Sequence, residues 1–245
     1  MPRYKIILEY EGTNYSGWQV QKEEPSVQAV LEEALSVALR VQTGVVGSGR
    51  TDAGVHSRGQ VGHFDHPEPV DEYRLMSSLN GLLPGDIAVR AVEPVSDAFH
   101  ARYDATSRLY RYYVTTRPTA LQRLFRTRIH PDTDFQAMNS AATVLVTRDD
   151  FSSFCRTQSE TRNRVCGVKR AQWVSEENGY HRFEIEADRF LHGMVRAIVG
   201  TLLEVGRGHR PADDLSRILA ARDRREAGPA AAPHGLVIER VTYTD

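Results

Sequence analysis

A change of hydrophobic period near the N-terminus limits what this chain can fold into more than any other feature. Tyr4, Ile6, Leu8 and Tyr10 alternate with their neighbours, the period of a strand with one buried face. From Val27 the period lengthens. Val27, Val30, Leu31, Ala34, Leu35 and Ala38 recur at helical spacing behind Ser26, whose hydroxyl can cap the first turn. Short strands follow at Thr43–Gly47 and Gln60–Asp65, and a helix at Val70–Leu82 stops before Pro84-Gly85. Ile87, Val89 and Ala91 form a further strand. The order is β-α-β-β-α-β, the ferredoxin-like pattern.

The rest of the chain repeats that order without repeating the sequence. Arg108, Tyr110, Tyr112 and Val114 share one face of a strand. Phe135, Met138, Ala142 and Leu145 mark a helix. Val165–Ser175 and Tyr180–Ala187 read as two strands joined at Asn178-Gly179, a strong hairpin signal. A long apolar helix spans Leu191–Val205, and a shorter helix follows Pro211. Residues 227–233 read as a loop and Gly235–Tyr243 as a closing strand. The expectation is an α+β protein of two ferredoxin-like halves, residues 1–105 and 106–245, with mainly antiparallel sheets and a cleft between them, where sites usually lie.

Composition excludes several classes. No run approaches the ~20 apolar residues of a membrane span, and Met1–Tyr10 lacks the pattern of a secretory signal. Cys155 and Cys166 make neither a disulfide framework nor a zinc motif, so a reduced, cytoplasmic setting is expected. The net charge is -1, but charge is segregated. Seven arginines (102, 108, 111, 117, 123, 126 and 128) stand between Phe99 and His130 against Asp104, and aromatics are mixed among them. A second basic run, Arg156 to Arg170, holds Glu160. Such runs make a phosphate-binding face or two strand faces laced with ion pairs; charge alone leaves both open.

The densest segment is Gly47-Ser48-Gly49-Arg50-Thr51-Asp52-Ala53-Gly54-Val55-His56, between two strands. Its glycines permit close approach of another backbone, and small neighbours leave Arg50 and Asp52 able to face a groove. An ordinary glycine-rich turn fits the same composition. A dinucleotide fingerprint does not, because the segment is not strand–loop–helix, and no Gly-Lys-Ser/Thr follows to make a P-loop.

Gly49–His56, with Gln60-Val61 after it, resembles the signature of the TruA family of pseudouridine synthases. Tyr15–Gln21, Phe99–Arg102, Tyr110-Arg111-Tyr112, Asp150–Phe154, Phe190–Gly200 and Gly235-Leu236 resemble further motifs of that family, in order along nearly the whole chain. Ser57 stands where many members have Ala. The resemblance implies isomerisation of uridine to pseudouridine at positions 38, 39 and 40 of the tRNA anticodon arm, without metal or organic cofactor. It implies Asp52 as the catalytic carboxylate, Arg196 as its cationic partner and Tyr110 as the active-site tyrosine. Arg50, His192 and Leu236 would contact the substrate. Relatives are homodimers, so the same is expected here.

Two other classes compete. A metal-dependent hydrolase would draw on His56, His63, Asp65 and His66, though their spacing fits no metal motif. A non-catalytic RNA-binding sheet would need exposed aromatics but no Asp52, Tyr110 and Arg196 together.

Overall fold

The computed structural model describes residues 1–157 and 161–244. Glu160 of the second basic run lies outside them. The described residues form an α+β protein of nine strands and five helices. The chain packs as two compact units, Met1–Thr106 with the segment from Ile238 onward, and Ser107–Val237. The sequence reading gave all of 106–245 to the second half; the last strand instead packs with the first unit.

In the first unit, β1 (Arg3–Tyr10) lies antiparallel between β3 (His56–Asp65) and β4 (Ile87–Val95). Every second residue of β1 is buried, from Tyr4 to Tyr10. That face packs with Val27, Leu31 and Leu35 of α1 (Val27–Leu39) and with Leu75 and Leu79 of α2 (Glu72–Leu82). Ser26 caps α1 as expected, its Oγ accepting from the Ala29 N–H at 3.3 Å. Asp71 caps α2, so that helix begins after Val70. The strand expected at Thr43–Gly47 shrinks to Val46–Gly47 (β2). Side chains of α1 take the N–H groups: Ser36 Oγ accepts from Thr43 and Glu32 Oε1 from Val45.

In the second unit, β8 (Tyr180–Ala187) lies antiparallel between β5 (Ala105–Thr115) and β7 (Val168–Ser175). A two-residue strand, β6 (Thr127–Arg128), pairs parallel with β5. The β7–β8 connection has positive φ at both Asn178 (63°) and Gly179 (70°), as a tight hairpin turn demands. Helix α3 (Phe135–Ala142) stops short of Leu145, which sits in a 3₁₀ turn. Helix α4 (Met194–Gly206) begins after Gly193, whose φ of 71° interrupts the expected start at Leu191. Helix α5 (Asp214–Ala221) follows, and β9 (Leu236–Tyr243) closes the chain beside β3. Tyr112, Met138, Phe183, Ile198 and Leu202 are buried core residues. Among the described residues no helix is long and apolar enough to cross a membrane.

Part of the basic run is neutralised inside the second unit. Glu184, its side chain 4% exposed, meets Arg111, Arg170 and Arg182 at 2.9 Å each. Arg126 pairs with Glu176 and lies over the Tyr180 ring. These arginines hold the sheet together and offer less charge to a ligand than their number suggests.

Candidate active site

Asp52 opens a turn. The Val55 N–H donates to the Asp52 carbonyl at 3.2 Å, and Gly54 has φ of 75°, the positive value that the third residue of a type II turn needs. The segment around Tyr10–Trp18 fixes this turn from behind. The Trp18 N–H donates to the Thr51 carbonyl, and the Gly54 N–H donates to the Tyr15 carbonyl, both at 3.2 Å. The Tyr10 hydroxyl lies 3.0 Å from Thr51 Oγ1, and His56 Nδ1 accepts from the Gly12 N–H at 2.9 Å. On the other side, Ser48 and Gln60 share a buried hydrogen bond, and Gln60 Nε2 donates to the Gly49 carbonyl. Thr51 and Val55 are buried, Asp52 is half-buried between them, and Arg50 is exposed. A carboxylate is thus presented on backbone that is held at several points. The Tyr15–Gln21 motif, which has no role legible in its own residues, braces the Asp52 turn through Tyr15 and the buried Trp18.

The remaining expected residues lie in the second unit. Tyr110 on β5 is 8% exposed and meets Phe190 edge-on, with ring centres 5.0 Å apart. Tyr112, two residues along, is fully buried; its hydroxyl donates to the Ala232 carbonyl at 2.9 Å and lies 2.7 Å from Thr127 Oγ1. Burial pushes its pKa up to about 12, against the opposing pull of the Thr127 bond and the nearby Arg196 charge. The hydroxyl therefore keeps its proton. Arg196, on the first turn of α4, donates from Nε to the Ala231 carbonyl at 2.8 Å. Its own carbonyl accepts from the Ala231 N–H at 2.9 Å. The residue is thus tied to the 227–233 loop through both backbone and side chain. His192, one turn earlier, is exposed; its ring lies 3.4 Å from Arg156, and its carbonyl accepts from the Arg156 N–H. Leu236 is buried at the start of β9.

The tRNA pseudouridine synthase family matches residues 6–104 and 141–244, most of the chain. A tRNA pseudouridine synthase A of Bacteroides fragilis is 46% identical over 98% of this chain and 96% of its own length. Proteins of the same name from Myxococcus xanthus and Exiguobacterium sibiricum are 42% and 41% identical, covering 100% of this chain and 93% and 98% of their own. The chain belongs to the tRNA pseudouridine synthase family. It is an isomerase of the tRNA-modifying class.

Within a member of this family the histidines near Asp52 have structural work. His56 accepts the Gly12 N–H, and His63 Nδ1 accepts the Ala101 N–H at 3.1 Å. Burial, with Arg3 and His100 nearby, brings the His63 pKa down to about 4, so the ring is a neutral acceptor at pH 7. Asp65 is engaged by Arg3 at 2.7 Å. The Phe99–Arg102 motif of the synthase lies over the same strand: Arg3 donates to the Phe99 carbonyl, and the Tyr243 hydroxyl donates to the Ala101 carbonyl.

Proposed function

We propose that this isomerase converts uridine to pseudouridine at positions 38, 39 and 40 of the tRNA anticodon arm, with Asp52 as the catalytic carboxylate. The observation that carries the reading is the braced turn: a half-buried carboxylate on backbone pinned by Trp18 and Tyr15, in a chain of this family. The reaction breaks the N1–C1′ bond, joins C1′ to C5, moves a proton off C5 and returns one to N1. Nothing is oxidised or reduced, so a positioned carboxylate and proton carriers suffice, with no organic cofactor or metal. Asp52 serves by adding to the base, by adding to C1′ or by taking the 2′ proton.

Arg196 is the proposed cationic partner that orients Asp52. Tyr110 is the proposed stacking surface for the flipped uracil. Its ring is not wholly enclosed, whereas Tyr112 has its hydroxyl committed to Ala232 and Thr127, which favours Tyr110. Arg50, exposed beside the turn, is assigned to the RNA backbone, His192 to the substrate and Leu236 to the floor beneath the base. The strand order β4-β1-β3 with β2 on β3 supports a ferredoxin-like first half; the second half and a split near residue 105 belong to the same proposal, as do a homodimer and a cytoplasmic setting.

The test is tritium release from C5-labelled uridine in unmodified tRNA, followed by mapping of the modified positions. Asp52→Asn is expected to abolish release while thermal unfolding and tRNA binding stay as in wild type. Turnover by Asp52→Asn near the wild-type rate would sink the assignment, and product outside positions 38–40 would sink the target.

A further inference from the structure

Helix α4 ends beside a cavity of about 750 Å³ in the second unit, lined by Arg128, His130, Asp132, Thr133, Arg207 and His209. Arg128 comes from β6 and Arg207 is the residue at which α4 stops. Several arginines of this unit have carboxylate partners: Arg111, Arg126, Arg170, Arg182, Arg210 and Arg217 all meet one. Among the described residues Arg128 and Arg207 meet none, and both are exposed. Together with His130 and His209 they set four basic side chains around one cavity.

A structural reason for Arg207 and His209 would be to cap the carbonyl end of α4, where cations are favoured. Those carbonyls are already satisfied by backbone. Leu203 and Val205 accept from the Arg207 N–H, Val205 also accepts from Gly208, Glu204 accepts from the His209 N–H, and Gly206 accepts from Asp134. The side chains of Arg207 and His209 are therefore not needed as caps. The loop opposite is equally set: the Thr133 hydroxyl donates to the His130 carbonyl at 2.6 Å, and the Ile129 N–H donates to Thr115 at 2.9 Å. His130 Nδ1 accepts from the Asp132 N–H at 3.3 Å, which leaves the other ring nitrogen as the donor. Asp132 is the one acid of the lining; its side chain is 90% exposed, 3.7 Å from His130, where water screens its charge.

We propose that this cavity holds a backbone phosphate of the bound tRNA, gripped by Arg128 and Arg207 with His130 and His209 as further donors. The proposal rests on tRNA being the substrate. Guanidinium groups suit it because each can give two parallel N–H bonds to a phosphate. The contact fixes where the RNA lies and reads no base.

The test compares wild type with Arg128→Gln/Arg207→Gln and with Arg128→Lys/Arg207→Lys. Both residues are exposed and unpaired, so melting curves should match those of wild type. The glutamine pair is expected to weaken tRNA binding about tenfold, to lower the slope of log affinity against log salt by about 1, and to raise KM more than it lowers kcat. The lysine pair should recover most of the salt slope. If wild type turns over tRNA and the glutamine pair keeps its affinity and slope, the phosphate site is overturned and the synthase reading stands. If wild type neither binds nor modifies tRNA, both fall together. Inorganic phosphate is the other arm. Micromolar shifts of the His130 and His209 ring signals, with no effect of the glutamine pair on tRNA, would assign the cavity to a free anion and overturn the RNA contact.

Discussion

Tyr110 and Tyr112 stand two residues apart on β5, and their hydroxyls answer to different demands. Tyr112 is wholly enclosed and bonded to Ala232 and Thr127. Tyr112→Phe should therefore cost stability, about 1 kcal/mol for each bond lost, and leave turnover of the folded enzyme nearly intact. Tyr110 packs on Phe190. Tyr110→Phe keeps the ring proposed to stack on uracil, so tRNA binding should persist while the step that moves the C5 proton slows, by roughly 10²–10⁴-fold if the hydroxyl carries that proton. Tyr110→Leu should also weaken binding of the flipped base, by roughly 1–3 kcal/mol. Single-turnover rates and tRNA affinities separate the outcomes, and a Tyr110→Phe enzyme as fast as wild type would leave stacking alone. His63 sets a second test. Its folded pKa of about 4 lies below the ordinary 6.5, so the unfolded chain binds more protons between those values. The stability this gives is complete above pH 6.5 and is lost as pH falls toward 4, on the order of 2 kcal/mol in all. Melting temperatures of wild type and His63→Gln should differ most near pH 7 and converge toward pH 4.5. A constant gap would show that His63 titrates normally.

The pairing of α4 with the 227–233 loop gives a prediction at the level of elements. Arg196 bonds Ala231 through both its carbonyl and its Nε, and Thr201 Oγ1 accepts from the Gly228 N–H. Between them, a side chain at Gly200 would place its Cβ 1.7 Å from the Pro229 carbonyl oxygen. Gly200→Ala must push the loop off the helix, at roughly 1–3 kcal/mol. Urea midpoints should fall accordingly, and tRNA turnover should fall further than stability alone explains, because Arg196 loses its anchor. The same comparison shows what periodicity can and cannot reveal. Strand β1, helix α1 and the Asn178-Gly179 hairpin were legible because their residues repeat at one period or demand one backbone conformation. Strand β6 was not, since two residues carry no period. The shortened β2 turned on Ser36 and Glu32 of a neighbouring helix taking its N–H groups. The arginine run pointed to basic character but not to its partners, because Glu176 and Glu184 come from a distant hairpin. Asp52 stood out through its small-residue loop, while the brace from Tyr15 and Trp18 depends on pairings that distance along the chain conceals.

At the level of the whole chain, residues 107–237 fold as one unit, while residues before and after them share another. Strand β9 lies beside β3, where Arg58 pairs with Glu239 at 3.2 Å and Thr106 donates to the Thr242 carbonyl. A chain ending at residue 237 should leave that edge of β3 open. Hydrogen exchange should then quicken at residues 57–60, while amides of β7 and β8 keep their protection. Unchanged protection at 57–60 would show that the first unit closes without its last strand. The arrangement also bears on how the protein is made. When a ribosome has finished residue 106, the first unit still lacks the strand that covers β3. At about 5–20 residues per second, roughly ten seconds pass before that strand is synthesised. Throughout that interval the nascent chain carries an unpaired edge beside the segment that bears Asp52, the kind of edge that neighbouring nascent chains can join. The second unit, whose residues are contiguous, can fold first. The first unit, begun first, is thus the last to be completed, and the open edge of β3 closes only once the final strand has been made.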